Sequence, residues 1–290
     1  MRSLKSTLRA AVLAVIACSV LAVAKPIVQQ VGPGLYAYIS DNDASANSTF
    51  LIGRAGILVI DTGLNATEGA KLREAIRQVS RLPVKFIVNT HYHPDHQGGN
   101  AVVGPDAVVI STEFTRQRTL TLMQRPEMRT FEFRPANVTF QNQVTVYLEP
   151  YSLKVYFPGK AHTSGDALVY FPQQRVLAAG DLFLNRSSPA MDNGSAANWI
   201  HALDQALELP LEHVVPGHFE LGSRADLQRF RDYLSDLFQQ VRSMRQQGKS
   251  LEQVRQNIKM EKYADFRQYP KYQATFADNA AVIYEQLQAR

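Results

Sequence analysis

The stretch Asn89-Thr90-His91-Tyr92-His93-Pro94-Asp95-His96-Gln97-Gly98-Gly99 constrains this chain more than any other. Three histidines and an aspartate fall within six residues, directly after the apolar run Val84-Lys85-Phe86-Ile87-Val88 and directly before two glycines. A short apolar run of this kind reads as a buried strand, so the four side chains sit on a loop at a strand end. Histidines two apart on a tight loop can turn to the same ion, and a neighbouring aspartate can reach a second one. A metal loop of this kind needs further ligands from elsewhere in the chain.

Three other places offer them. His162 lies in Gly159-Lys160-Ala161-His162-Thr163-Ser164-Gly165-Asp166, Asp181 in Ala179-Gly180-Asp181-Leu182-Phe183, and His218 in Val214-Val215-Pro216-Gly217-His218-Phe219. Each follows an apolar run that reads as a strand or strand end, and loops at strand ends can converge on one edge of a sheet. Imidazole nitrogen and carboxylate oxygen suit Zn²⁺, which takes about four ligands and keeps one position open when catalytic. Two zinc ions roughly 3.5–4 Å apart can share a hydroxide acidified to about neutral pKa, and the Asp181 carboxylate can bridge them. Without a thiolate, Fe or Mn are the alternative occupants. His201, on a helix, and His213, before the last strand, read as ordinary structural histidines. Asp61, in the turn Asp61-Thr62-Gly63 after a strand, reads as a cap or as a hydrogen-bond partner of the histidine loop.

The N-terminus reads as a secretory signal peptide over residues 1–24. Arg2, Lys5 and Arg9 form a positive region, Ala10 to Leu21 is apolar but short for a bilayer span, and Ala22-Val23-Ala24 is a small-residue cleavage site. The only cysteine, Cys18, follows Val15-Ile16-Ala17 in a lipobox-like setting, so a lipid anchor at Cys18 is the alternative. Cleavage after Ala24 leaves no cysteine, hence no disulfide and no thiolate ligand. It also takes the 31 basic residues to 28 against 26 acidic ones, so most of the net charge of +5 belongs to the leader. No run of Lys and Arg interleaved with aromatics appears, which argues against nucleic acid as a partner and for a small-molecule substrate in a secreted or periplasmic protein.

The remainder reads as strands and helices in alternation. Strands are expected over 35–40, 48–52, 56–60, 84–88, 107–110, 138–148, 153–157, 167–171, 175–179 and 213–215, with 167–171 and 175–179 forming a hairpin. Helices are expected over 66–79, from Thr112 toward Arg129, over 196–207 and over 224–245, the last with Leu227, Phe230, Leu234, Leu237 and Val241 on one face. Residues 25–247 make the main domain and 248–290 a charged, mostly helical extension that packs on it or forms a dimer contact. The segment from Phe114 to Gln141 covers the site edge.

These residues resemble the metallo-β-lactamase superfamily over roughly Leu35 to Arg245, with the HxHxDH signature followed by the later His, Asp and His in order. The resemblance implies an α/β fold: a four-layer αββα sandwich, here with the C-terminal helical extension. It also implies a binuclear zinc hydrolase. His91, His93 and His162 would hold the first zinc and Asp95, His96 and His218 the second. Asp181 would bridge, and Asp95 would be the catalytic carboxylate that orients the attacking hydroxide. The segments from Pro158 to Asp166 and around Val215-Pro216-Gly217-His218 look most like the cysteine-containing class of zinc β-lactamases. That class, however, has a cysteine at the place of Asp181, a substrate-carboxylate lysine at the place of Leu184, and no histidine at the place of His96. His96 with Asp181 is the set of glyoxalase II-type thioesterases, lactonases and phosphodiesterases. Asn193 sits near the place of a carbonyl-polarising asparagine, although Asn193-Gly194 is equally a plain turn. The leading expectation is therefore attack on a thioester, ester, lactone or amide carbonyl. The alternatives are a true class B β-lactamase acting on β-lactam antibiotics, a phosphodiesterase, and a non-catalytic zinc-binding protein.

Overall fold

The computed structural model describes residues 26–268 and 274–288, so the segment 1–24 expected to be a signal peptide, Cys18, Tyr269 and Tyr272 lie outside it. The first of two sheets has its strands in chain order: β1 (Ile27–Gly32), β2 (Leu35–Ile39), β3 (Ser48–Ile52), β4 (Ile57–Ile60), β5 (Val84–Val88), β6 (Val108–Thr112) and β7 (Val138–Phe140). β1 to β4 pair antiparallel and β4 to β7 parallel. Parallel neighbours need crossovers. α1 (Ala66–Val79) joins β4 to β5, the short α2 (Pro94–Gln97) and α3 (Asn100–Val103) join β5 to β6, and α4 (Glu113–Met123) joins β6 to β7. The second sheet is ordered β12-β11-β10-β9-β8, from β8 (Gln143–Leu148), β9 (Tyr151–Tyr156), β10 (Leu168–Phe171), β11 (Val176–Gly180) and β12 (His213–Pro216). Its one parallel pair, β11 with β12, is bridged by α5 (Ala196–Leu207). The chain ends in α6 (Arg224–Gln246), α7 (Leu251–Asn257) and α8 (Phe276–Gln288).

The layering follows from strand periodicity. Successive side chains leave a strand on opposite faces, and here both faces are apolar. Leu58 and Ile60 of β4 join Val169 and Phe171 of β10 and Val176 and Ala178 of β11 in one core between the sheets. The alternate residues Ile57 and Val59 pack outward with Leu72, Ala75 and Ile76 of α1. Leu168, Leu177 and Ala179 pack outward on the other side with Trp199 of α5 and Phe230 and Leu234 of α6. The result is helix, sheet, sheet, helix. Each fully buried aliphatic or aromatic side chain contributes about 1.5–3 kcal/mol of transfer free energy. Val254, Ala280 and Ile283 join the same outer core, so the C-terminal helices are continuous with the domain they cover. No helix among the described residues is long and apolar enough to cross a membrane.

Two readings of the sequence change. The alternation from Val138 to Leu148 is not one strand: β7 pairs with β6 in the first sheet, and β8 pairs with β9 in the second. The chain passes between sheets at Gln141-Asn142, and Phe140 and Val146 feed the same inter-sheet core on either side of the break. Periodicity records which face a residue takes but not which sheet it joins. β1, where no strand is expected, is an edge strand whose first four residues are exposed.

Candidate metal centre

The ligand-bearing loops leave both sheets at one edge. Val88, the last residue of β5, pairs with Ile60 of β4 and Ile110 of β6, so the loops carrying Asp61 and His91 emerge side by side. In the second sheet Gly180 pairs with Pro216, which sets Asp181 beside Gly217. A Cβ on Gly217 would strike the Asp181 carboxylate, so only glycine lets the end of β12 pass so close. The histidine loop turns into α2 at once: His93 is the residue before it and Pro94 its first. Proline is pre-set for that position, and the turn sends Asp95 and His96 in one direction and His91 and His93 in another. Gly98 then passes the backbone of Leu64, where a Cβ would collide.

The structure brings together seven of the residues singled out in the sequence, in two groups. His91, His93, His162 and Asp181 form one, and Asp95, His96 and His218 the other; within each group the potential ligand atoms lie within 4.8 Å of one another. His93 Nδ1 is 2.9 Å from His91 Nε2 and 3.2 Å from His162 Nε2. Asp181 lies between the groups. Its Oδ2 is 3.5 Å from His162 Nε2 and 3.9 Å from His91 Nε2, while its Oδ1 is 3.1 Å from His96 Nε2 and 3.6 Å from His218 Nε2. Asp95 Oδ2 is 3.1 Å from His218 Nε2 and 3.5 Å from His96 Nε2. His96 Nε2 and Asp181 Oδ1 are buried and, close as they are, make no hydrogen bond. Buried polar atoms of that kind ordinarily find partners, and nitrogen and oxygen atoms gathered on a common point without mutual alignment fit cations held among them.

The surroundings orient the rings. Asp61 Oδ2 is 2.7 Å from His96 Nδ1, and the same carboxylate accepts from Thr90 N at 2.8 Å and Thr90 Oγ1 at 2.7 Å. A proton on Nδ1 facing Asp61 leaves Nε2 free for an ion. His218 Nδ1 likewise faces the Asp43 carbonyl at 3.1 Å. Asn47 donates to the Pro216 and Phe219 carbonyls on either side of His218. Trp199 lies under His162, ring centres 5.3 Å apart, and donates to the Leu182 carbonyl beside Asp181.

Burial and neighbouring charge divide the histidines. Burial holds His91, His93 and His162 below their ordinary value, His162 down to about 3. Burial also opposes charge on His96 and His218, but the nearby carboxylates outweigh it and raise both, with Asp181 contributing most. Burial pushes the Asp95 carboxyl up, yet the field of His96 and the hydrogen bond with His218 prevail and bring it to about 2.

A cavity of about 430 Å³ opens over the site. His93, Asp95, His162, Asp181 and His218 form its floor, and Phe131 from the loop after α4 forms part of its wall. Of the other residues in the Phe114–Gln141 segment, Phe133 is buried with Tyr92 and Leu122 in a small satellite cluster that Met128 covers, and Met123 is exposed. Asn193 is exposed and lies outside the cavity lining; its side-chain carbonyl accepts from the Tyr92 hydroxyl at 3.0 Å. Sequence reading missed Thr90, Asp43 and Asn47. The available signal was the polar Asp41–Asn47 stretch between two apolar strands: Ser45 and Asn47 are buried there, which a plain surface turn would not require.

The comparisons agree with this arrangement. The 2,4-dinitroanisole O-demethylase subunit alpha of Nocardioides sp. (strain JS1661) is 28% identical over 182 residues, covering 61% of this chain and 53% of that protein, so this chain spans about half its length. The metallo-beta-lactamase type 2 of Elizabethkingia meningoseptica is 24% identical over 230 residues, 74% of this chain and 88% of the relative. Among solved structures, a metallo-beta-lactamase from Pontibacter korlensis superposes with a TM-score of 0.62 at 25% identity, over 73% of this chain and 99% of that one. The inverting sec-alkylsulfatase Pisa1 from Pseudomonas sp. reaches 0.72 at 17% identity over 89% of this chain and 50% of that one, a likeness of fold alone. The profile of the metallo-beta-lactamase superfamily matches residues 41–218, the span that carries every one of the clustered ligands. The chain belongs to that superfamily and is a metal-dependent hydrolase with its αββα fold.

Proposed function

We propose that the chain is an exported hydrolase that holds two zinc ions and cleaves a carboxylic ester, thioester, lactone or amide. The observation that best supports this is the Asp181 carboxylate, which turns one oxygen toward each of two ligand groups. In this reading His91, His93 and His162 hold one ion, Asp95, His96 and His218 the other, and Asp181 belongs to both. The imidazole and carboxylate donors suit zinc, with iron or manganese as alternates. Such a pair of ions supplies Lewis acidity toward a carbonyl oxygen and a water acidified to near neutral pKa.

The protein's own groups do the rest. Asp95, an ionised carboxylate at the edge of the second ligand group, accepts a hydrogen bond from the attacking water, aims it at the carbonyl carbon and passes the proton to the leaving atom. Asp61 and the Asp43 carbonyl keep His96 and His218 turned inward. Export rests on the charged and apolar N-terminal segment, which lies outside the described residues. Replacement of Asp95 by Asn is expected to lower kcat about 10²–10⁴-fold while the His91 group keeps its metal. Elemental analysis and a panel of esters, thioesters and lactones check this; full turnover by Asp95→Asn with two metals bound overturns the role.

A β-lactamase reading draws on the names of two relatives. Leu184, in the cavity wall where the resemblance implies a lysine, weighs against it. Rapid nitrocefin turnover by zinc-loaded protein reverses that ranking.

A further inference from the structure

The walls of the cavity carry a chemistry of their own. Above the ligand floor they are built from Ala44, Leu64, Phe131, Leu184, Pro189 and Ala190, and no lysine or arginine lines them among the described residues. The one charged residue there outside the ligand set is acidic: Asp43, exposed at the rim. Arg186, in the same loop as Leu184, does not line the cavity, and its charge acts on Glu220 and Asp265; four further cations are engaged elsewhere. Lys71 bonds Asp41 and Glu68. Arg118 lies over the Tyr92 ring, 5.2 Å from its centre. Arg267 pairs with Glu220 and covers the Phe219 ring. Lys160 lines a separate depression beside Gly194 and Phe238.

We infer that this site takes substrates whose acyl and leaving portions are uncharged and largely apolar, and that it discriminates against substrates with a carboxylate a few atoms from the scissile group, where it meets the cavity wall. The inference rests on the proposed carbonyl hydrolase and narrows its substrate class. A carboxylate held beyond reach of the metal floor would lie against Leu64, Phe131, Leu184 and Pro189 with no cation to pair it. It would be stripped of water there, and buried charge without a partner is strongly disfavoured. Asp43 at the rim adds like-charge repulsion on entry. A branched alkyl or aryl group in the same place gains from the apolar contact. The volume suits a small ligand: drug-sized pockets run from about 300 to 1,000 Å³.

The test uses matched tails on two chemical heads with zinc-loaded full chain. For turnover, the p-nitrophenyl ester of isocaproic acid is compared with p-nitrophenyl hemisuccinate, in which a carboxylate replaces the branched methyls. For binding, isocaprohydroxamic acid is compared with succinic monohydroxamic acid by calorimetry, since both share one metal-chelating head. The neutral tail is expected to win at least tenfold in kcat/KM and in Kd. Ala190→Lys, at a partly exposed wall position, and Phe131→Lys, as an independent second site, are each expected to move the ratio at least tenfold toward the carboxylated tail. Equal or tighter binding of the carboxylated hydroxamate, binding of neither, or a ratio unmoved in both folded variants overturns the inference. Absence of turnover of both esters with the hydroxamate preference intact refutes the carbonyl-hydrolase reading and leaves the wall chemistry standing.

Discussion

Asp61 combines an unusual backbone with a buried charge. Its φ of +54° lies in the left-handed region, which aspartate tolerates better than most residues because its short side chain bonds locally. That conformation puts one carboxylate against Thr90 N, Thr90 Oγ1 and His96 Nδ1. Asp61→Ala is expected to weaken metal binding about 10–100-fold, read by competition with a chelator, with the circular dichroism spectrum unchanged. Asp166 offers a pH-dependent counterpart. It accepts from Thr163 N and Oγ1 and so fixes the turn after His162. Burial pushes its carboxyl up to about 7 against those hydrogen bonds. A carboxyl raised above its unfolded value of 3.8 contributes stability that is complete below that value and is lost as pH rises through 7. The wild type is therefore expected to lose thermal stability between about pH 4 and 7 relative to Asp166→Asn; parallel melting curves for the two would show that the group stays ionised throughout.

At the scale of elements, the loop from Asp181 to Ser195 makes part of the cavity wall, and the C-terminal segment holds it in place. Asn279 of α8 donates to Ser188 Oγ at 3.0 Å and to the Pro189 carbonyl at 2.7 Å. Arg267 donates to the Asn185 carbonyl, and its own backbone bonds Arg186 and Ser188. Asn279→Ala removes those donors inside the fold and is expected to cost about 1–3 kcal/mol. Amide exchange should rise at residues 187–190 and not at the histidine loop; uniform protection across both would show that the segment is a cover rather than a brace. This dependence was not legible in the sequence. His91, His93, Asp95 and His96 stand out because their chemistry is local and dense. The contacts of Asn279, Asn47 and Asp43 join positions far apart in the chain, with neither periodicity nor a motif to mark them. The face of α6 was legible for the opposite reason: Leu227, Phe230, Leu234, Leu237 and Val241 repeat at helical spacing, and all are fully buried. The split of Val138–Leu148 was hidden because both halves keep the same alternation while changing sheets.

Across the whole molecule, the ligands come from both halves of the sandwich. His91, His93, Asp95 and His96 follow β5 of the first sheet, whereas His162, Asp181 and His218 follow β9, β11 and β12 of the second. Under the proposed two-ion reading each ion ties one sheet to the other, so metal binding is linked to global stability. The two groups should load at different pH. Burial leaves His91, His93 and His162 neutral near pH 7, ready to bind without releasing protons. Asp181 and the other carboxylates around them raise His96 and His218, so an ion there competes with protons to a higher pH than at the first group. In metal-free protein those same pairs contribute stability that is full below the unfolded histidine value of 6.5 and fades as pH rises through their raised values. Above that pH the metal-free chain therefore weakens while the second group becomes easier to load. Zinc is expected to bind with one equivalent near pH 6 and to approach two as pH rises through the raised values of His96 and His218. The thermal gain on adding it should widen over that window by on the order of 5–10 °C at a hundredfold excess over Kd. Elemental analysis after dialysis gives the stoichiometry, and melting with and without chelator gives the gain. Two equivalents already bound at pH 6, with a gain that does not change with pH, would show that the two groups do not differ in their protons.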